Sequence, residues 1–183
     1  MPRCGAQGGT RRYVFDALSN HRANLGSCCT TLPRGHDQAG DCRYAARMTT
    51  AVLLSQGAIG MARLSDDLAS QGVRVLVALD DERDLVRHVV RHAPDCIIFD
   101  FLEPTDALFQ VIDALRATAW LPFVVLVQRS SVADIERAVA AGIHVFVVDG
   151  YAPSRWSGLI QLAYARWRHE QSVKQSLDEL AQR

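Results

Sequence analysis

Pro94-Asp95-Cys96-Ile97-Ile98-Phe99-Asp100 is the stretch that decides the fold. The proline ends the helical pattern before it, and Cys96 to Phe99 are apolar without interruption. Asp100 then stands at the strand's end. A short run that is apolar on both alternating faces fits a strand covered by helices on either side, as in a parallel sheet.

Working outward, the same alternation recurs on both sides. Upstream, Glu82 to His92 reads as a helix with Leu85, Val86, Val89 and Val90 on one face, and Val73 to Leu79 reads as a strand. Before that, Ile59 to Gln71 carries Met61, Leu64 and Leu68 at helical spacing, with Gly72 as its stop. Ala51 to Leu54 is the first strand. Downstream, Thr105 or Asp106 caps a helix carrying Leu108, Val111, Ile112 and Leu115. Pro122 opens the strand Phe123 to Val127. Ser130 or Ser131 caps a helix whose apolar positions are Val132, Ile135 and Val139, and Gly142 closes it. Val145 to Val148 is the fifth strand, and Pro153 sits in the first turn of a long final helix.

Five apolar strands alternating with five helices predict an α/β fold with helices on both faces of a parallel sheet. Right-handed crossovers make it doubly wound, and the five-strand version of that plan is the flavodoxin-like order 2-1-3-4-5. The last helix, from Pro153 to Arg183, would extend about 46 Å at 1.5 Å per residue, more than the sheet needs. Trp156, Leu159, Ile160, Ala163 and Trp167 suit the sheet. Val173, Leu177 and Leu180 continue at +4, +3 spacing, which fits either a seam for a partner helix or a frayed amphipathic tail.

Residues 1–47 read differently. They are rich in Gly, Arg and Cys, and only Tyr13 to Leu18 is briefly apolar, so the expectation there is disorder. Met48 precedes the first strand directly. The expectation is that Met48 is the natural start and that residues 1–47 belong to an over-extended reading frame. The domain plan is then an N-terminal extension over 1–47, an α/β domain over 48–168 and a helical linker over 169–183.

Composition narrows the function classes. With 49% apolar residues, 22% charged residues and a formal net charge of zero, the chain as a whole has no electrostatic pull toward nucleic acid or membrane. Charged residues interrupt every apolar stretch, so no membrane span is expected, and the simplest location is the cytoplasm. Four of the five cysteines precede Met48 without C-x-x-C spacing, and Cys96 reads as a small buried thiol. Ser55-Gln-Gly-Ala-Ile-Gly60 lacks both dinucleotide and P-loop patterns, so its glycines read as turn formers. His144 has no evident partner. No cofactor is expected, and an enzyme or flavin carrier is the least favoured reading.

Pro94 to Asp100, with Pro104 following, resembles the third strand and loop of CheY-like receivers, in which the strand-ending aspartate accepts a phosphoryl group. Ala141-Gly142 and the strand Val145-Phe-Val-Val148 resemble the stretch leading to their fifth strand. The resemblance makes Asp100 the candidate phosphoacceptor, with magnesium as cofactor only if it is phosphorylated. The other pocket positions depart from the pattern. Ser55-Gln56 stands where receivers have a magnesium-binding acidic pair, Val127 where they have a hydroxyl, and Asp149 where they have a lysine. Asp66 and Asp67 lie far along the first helix, on what reads as its solvated face, and Asp80 and Asp81 read as turn residues. Asp100 is therefore expected to be a poor acceptor, its alternative role being a polar strand end bonded to loop amides.

These departures, together with Val147-Val-Asp-Gly150 and the run from Tyr164 to Gln182, resemble the ANTAR antitermination regulators of nitrate-assimilation and amidase type. There, a receiver-like domain precedes a small RNA-binding domain, which would begin just after Arg183. The resemblance implies a homodimer through the C-terminal helix, a ligand-sensing regulatory protein as partner, and RNA contact only through that further domain. The basic cluster Arg83, Arg87, His88, Arg91 and His92 reads as a solvated face. The alternative is a conventional phosphorelay receiver phosphorylated on Asp100.

Overall fold

The computed structural model describes residues 48–57 and 59–182. The expectations for residues 1–47 fall outside them. Strands β1 (Thr49–Ser55), β2 (Val73–Leu79), β3 (Cys96–Phe101), β4 (Phe123–Val127) and β5 (Val145–Val148) form one sheet in the order β2-β1-β3-β4-β5. Every pairing is parallel. This is the expected doubly wound plan.

Alternation along each strand sorts the core into two layers. Val52, Leu54, Ile97, Phe99, Phe123 and Val125 face one side. There they meet α2 (Leu85–His92), α3 (Asp106–Thr118) and α4 (Val132–Ala140). Ala51, Leu53, Cys96, Ile98, Val124 and Leu126 face the other side. That side is covered by α1 (Met61–Ser70) and α5 (Trp156–Ala181). Each fully buried Leu, Ile or Phe contributes roughly 1.5–3 kcal/mol. The exposed ion pairs, such as Arg129–Glu103 and Arg137–Asp106, contribute at most about 1 kcal/mol each, so apolar layers and not surface charges hold the fold.

The termini follow local chemistry. Thr105 is the cap of α3, its hydroxyl accepting the Leu108 N–H at 3.1 Å. Ser131 caps α4 and makes a reciprocal capping box with Asp134. Helix α2 starts at Leu85, a turn later than its sequence pattern suggests, because Asp81 accepts the Arg83 N–H and holds 80–84 as a turn. Pro153 opens a separate 3-10 turn (Pro153–Arg155) rather than the long helix itself.

Three expectations about helix faces are corrected. In α2, Leu85 and Val89 are buried, but Val90, at the edge of the expected apolar face, is 59% exposed. In α4 the stripe Val132, Ile135 and Val139 points outward, Val132 and Val139 each being 73% exposed, while Ala138 packs inward. Ala138 joins the core cluster that also holds Phe109 and Ile143. In α1, Asp66 is exposed as expected, but Asp67 is half-buried and accepts a short hydrogen bond from the Tyr151 hydroxyl.

Helix α5 packs Trp156, Ile160, Ala163 and Tyr164 on the sheet, with Leu159 and Trp167 at the margin. Its 26 residues extend about 39 Å at 1.5 Å per residue. Val173, Leu177 and Leu180 lie on the exposed part of the helix.

Candidate functional site

Parallel pairing brings the C-terminal ends of β1, β3, β4 and β5 to one edge, where open α/β sheets place ligands. Ser55 ends β1 directly opposite Asp100 of β3, and Val127 ends β4 beside Phe101. Asp149 follows β5, with its backbone at φ 44, a left-handed conformation that aspartate tolerates better than most residues. Its N–H donates to the Val127 carbonyl at 2.9 Å, fixing the turn against β4.

Asp100 is enclosed. It is 1% exposed, and its Oδ2 accepts the Ser55 hydroxyl at 2.8 Å. The bond comes from a side chain of the neighbouring strand, not from loop amides. The backbone carbonyl of Asp100 in turn accepts the Gln56 N–H at 2.7 Å, tying the β1–α1 loop to β3. Gly57 lies so close over the carboxylate that a β-carbon there would overlap its atoms. The glycines of this loop divide the work: Gly57 permits that approach, while Gly60, at φ 86, makes the turn into α1.

Burial pushes the Asp100 carboxyl above its usual range, and the Ser55 hydrogen bond offsets only part of that shift. The space beside it is a cavity of about 70 Å³ lined by Ile59, Asp100, Val127, Val147, Asp149 and Tyr151, among others. Asp100, Val127 and Asp149 therefore meet at one cavity, while Ser55 approaches Asp100 from the side. The Gln56 side chain turns away, donating to the Asp80 carbonyl and to Glu82, both at 3.0 Å. Asp149 is exposed at the rim. Tyr151 closes the floor toward α1, its hydroxyl pushed up to about 12 by partial burial and by the bond to Asp67.

Magnesium does not fit this donor set. A hard divalent cation takes several oxygen ligands, preferably carboxylates. Here the cavity offers one enclosed carboxylate already bonded to a hydroxyl and one, Asp149, exposed at its rim, and Gln56 is committed elsewhere. Among the described residues no group of three metal-capable side chains converges. A larger groove, of about 550 Å³, runs beside Thr49, Val73, Ile160 and Gln161, at the opposite end of the sheet from Asp100.

Sequence reasoning missed one polar cluster, built around a buried histidine. His144 is buried at the start of β5; its Nδ1 accepts the Phe123 N–H at 3.1 Å, and its Nε2 lies 3.2 Å from Glu170 of α5. A histidine flanked by apolar strand residues was the visible signal. The partner 26 residues away was not visible.

No protein-family model and no curated protein matches the chain. Solved structures do. The signal receiver domain of a modulated diguanylate cyclase from Desulfovibrio desulfuricans G20 aligns at 21% identity with a TM-score of 0.58, covering 68% of this chain and 99% of that one. A Vibrio cholerae chemotaxis protein, CheY4, aligns at 18% identity and TM-score 0.54, covering 63% of this chain and 98% of that one. A fusion carrying the yeast Spc42 trimeric coiled coil aligns at 14% identity and TM-score 0.58, covering 74% of this chain and 96% of that one. Among the described residues no helix is long and apolar enough to cross a membrane. Strand order, helix placement and these likenesses agree: the fold of this chain is that of the CheY-like response-regulator receiver domain.

Proposed function

We propose that the chain is an atypical receiver module of an antitermination-type regulator, signalling through a protein partner and through self-pairing of α5, without phosphoryl transfer at Asp100. The observation that carries this reading is the enclosure of Asp100 between Ser55 and Gly57. An attacking carboxylate needs an open line to the phosphorus and cations to neutralise the phosphoryl oxygens. This carboxylate is 1% exposed, and Asp149 adds a negative charge at the rim of its cavity. Incubation with acetyl phosphate and magnesium is expected to leave the protein unlabelled by intact-mass analysis. Stoichiometric labelling that disappears in Asp100→Asn would replace this reading with the conventional phosphorelay one.

Self-pairing is supported by the geometry of α5. At 3.6 residues per turn, Val173, Leu177 and Leu180 fall within roughly 60° of one another, on a face about 100° around from the one packed on the sheet. Leu162 lies on the same outer face and is exposed with them. The seam is thus separate from the buried face and remains available for a second copy while the domain stays packed. The antitermination assignment rests on the likeness of Val147-Val-Asp-Gly150 and of the charged run from Tyr164 to Gln182. A ligand-sensing regulatory protein is the partner that likeness supplies, and RNA contact in this reading belongs to residues beyond Arg183. Translating the DNA past the codon for Arg183, in all frames, tests it: a small helical domain with a basic face is expected, and its absence removes the antitermination assignment.

A further inference from the structure

The strongest unassigned feature is the polar cluster around the buried His144 that ties the outer half of α5 to the body of the domain; its partners Arg116 and Glu170 are partly exposed and Arg166 is exposed. Glu170 bridges two groups: its Oε1 lies 3.3 Å from Arg116 of α3 and its Oε2 lies 3.2 Å from His144 Nε2. Arg116 also donates to the Ala141 carbonyl at 2.8 Å, just before β5. Arg166, one turn earlier on α5, donates to the His144 carbonyl at 2.7 Å. Further along, the Trp167 indole donates to the Trp120 carbonyl at 3.1 Å, and the Lys174 ammonium sits 3.8 Å above the Trp120 ring. All of these ties meet α5 between residues 166 and 174, immediately before and within the start of its outer seam.

The protonation state of His144 is dictated by its surroundings. Nδ1 accepts the Phe123 N–H, so in this arrangement it carries no proton. The ring is then the neutral tautomer with its hydrogen on Nε2, donated to Glu170. Adding a proton would set an N–H against the Phe123 N–H. It would also add a third positive charge to a cluster that already holds Arg116 and Arg166 against a single carboxylate. The Phe123 ring packs beside the imidazole, centroids 5.9 Å apart, so the ring has little room to turn while staying in place.

We propose that His144, Glu170 and Arg116 form a proton-operated latch on α5, closed while the imidazole is neutral and released when it takes up a proton from solvent. This rests on the reading of α5 as the output element and names its regulation. Burial holds the His144 pKa below the ordinary 6.5, and Arg116 and Arg166 act in the same direction, while Glu170 pulls it upward. The lowering prevails because burial is the largest of these influences; protonation would also set an N–H against the Phe123 N–H. The released state therefore binds more protons between the lowered value and 6.5. Closure is fully favoured above 6.5 and is lost as pH falls through that window.

The test uses the full chain. Nitrogen-detected NMR of the histidine rings is expected to show His144 as the Nε2–H tautomer at neutral pH, titrating below the ordinary histidine value. Amide protection factors in 166–181 are expected to fall about tenfold per pH unit across the same window, as uptake of one proton requires. Protection in α1 serves as the internal control and should fall less. Glu170→Gln, which removes the charge but keeps an acceptor, is expected to move the His144 midpoint to lower pH. A midpoint at or above 6.5, protection that stays level while His144 titrates, or a Glu170→Gln midpoint that is unchanged or raised would each overturn the proposal. These signals arise within one chain, so they are read at concentrations where light scattering shows monomer. Loss of the latch would leave self-pairing standing, and loss of self-pairing would leave the latch standing.

Discussion

Asp100 carries the most information at the scale of single residues. Its position at the end of β3 is what a receiver requires, yet its surroundings oppose charge: one hydroxyl donor, a glycine pressed against it, the apolar Ile59, Val127 and Val147, and the like-charged Asp149 at the rim. A folded-state pKa above the ordinary 3.8 means that the native chain binds this proton more readily than the unfolded chain. The stability contributed by Asp100 is therefore fully present below 3.8 and is lost as pH rises through the raised value. Asp100→Asn keeps the shape and an acceptor for Ser55 but cannot ionise. It is expected to be at least as stable as the parent at neutral pH and to show a shallower decline above the acid range, measured by urea unfolding at a series of pH values. Clear destabilisation at neutral pH would mean that the carboxylate charge is compensated, and the enclosure argument would fail with it.

At the scale of elements, α4 and α5 show that a helical apolar stripe does not by itself say which way a helix faces. The stripe of α4 projects to solvent, and Ala138, roughly 90° around the helix from its centre, is what packs inward. Substituting Val132→Glu together with Val139→Glu is expected to change unfolding free energy by no more than about 0.5 kcal/mol per site. Ala138→Leu, which forces a larger group into a buried core position, is expected to cost about 1–3 kcal/mol. Urea titrations distinguish the two, and the reverse ranking would put the stripe in the core. In α5 the buried face and the outer seam coexist on one helix because they are rotated apart, so one element can pack on the sheet and still offer Leu177 and Leu180, 61% and 65% exposed.

For the molecule as a whole, the receiver fold places an enclosed, charge-averse pocket at one end of the sheet and a long helix along one face. In the proposed function the pocket holds structure and the helix carries the signal. Leu177→Asp combined with Leu180→Asp is expected to convert a self-associating chain to monomer by light scattering. Near-ultraviolet circular dichroism should be unaltered, because neither residue contributes to the core. A wild-type chain that is monomeric at high concentration would remove self-pairing from the reading. Proton-linked release of α5 adds a second lever on the same helix, set at the opposite end of β5 from Asp149.

Strand existence and order were legible in the sequence because a strand buried on both faces leaves an uninterrupted apolar run, as Cys96 to Phe99 does, and because right-handed crossovers leave few ways to wind five of them. That Ser55, Val127 and Asp149 stand at strand ends on one edge was legible for the same reason, because the winding sets where each strand ends; that the Gln56 side chain turns away toward Asp80 and Glu82 was not. What only the tertiary structure decided involves groups far apart in the chain. The bond from Ser55 to Asp100, the contact of Tyr151 with Asp67 and the pairing of His144 with Glu170 span 45, 84 and 26 residues. No local periodicity encodes such meetings. Which face of α4 turns inward was equally hidden, because it depends on how much room the edge of the sheet leaves beneath the helix, and hydrophobic spacing along one helix carries no record of the surface it will meet.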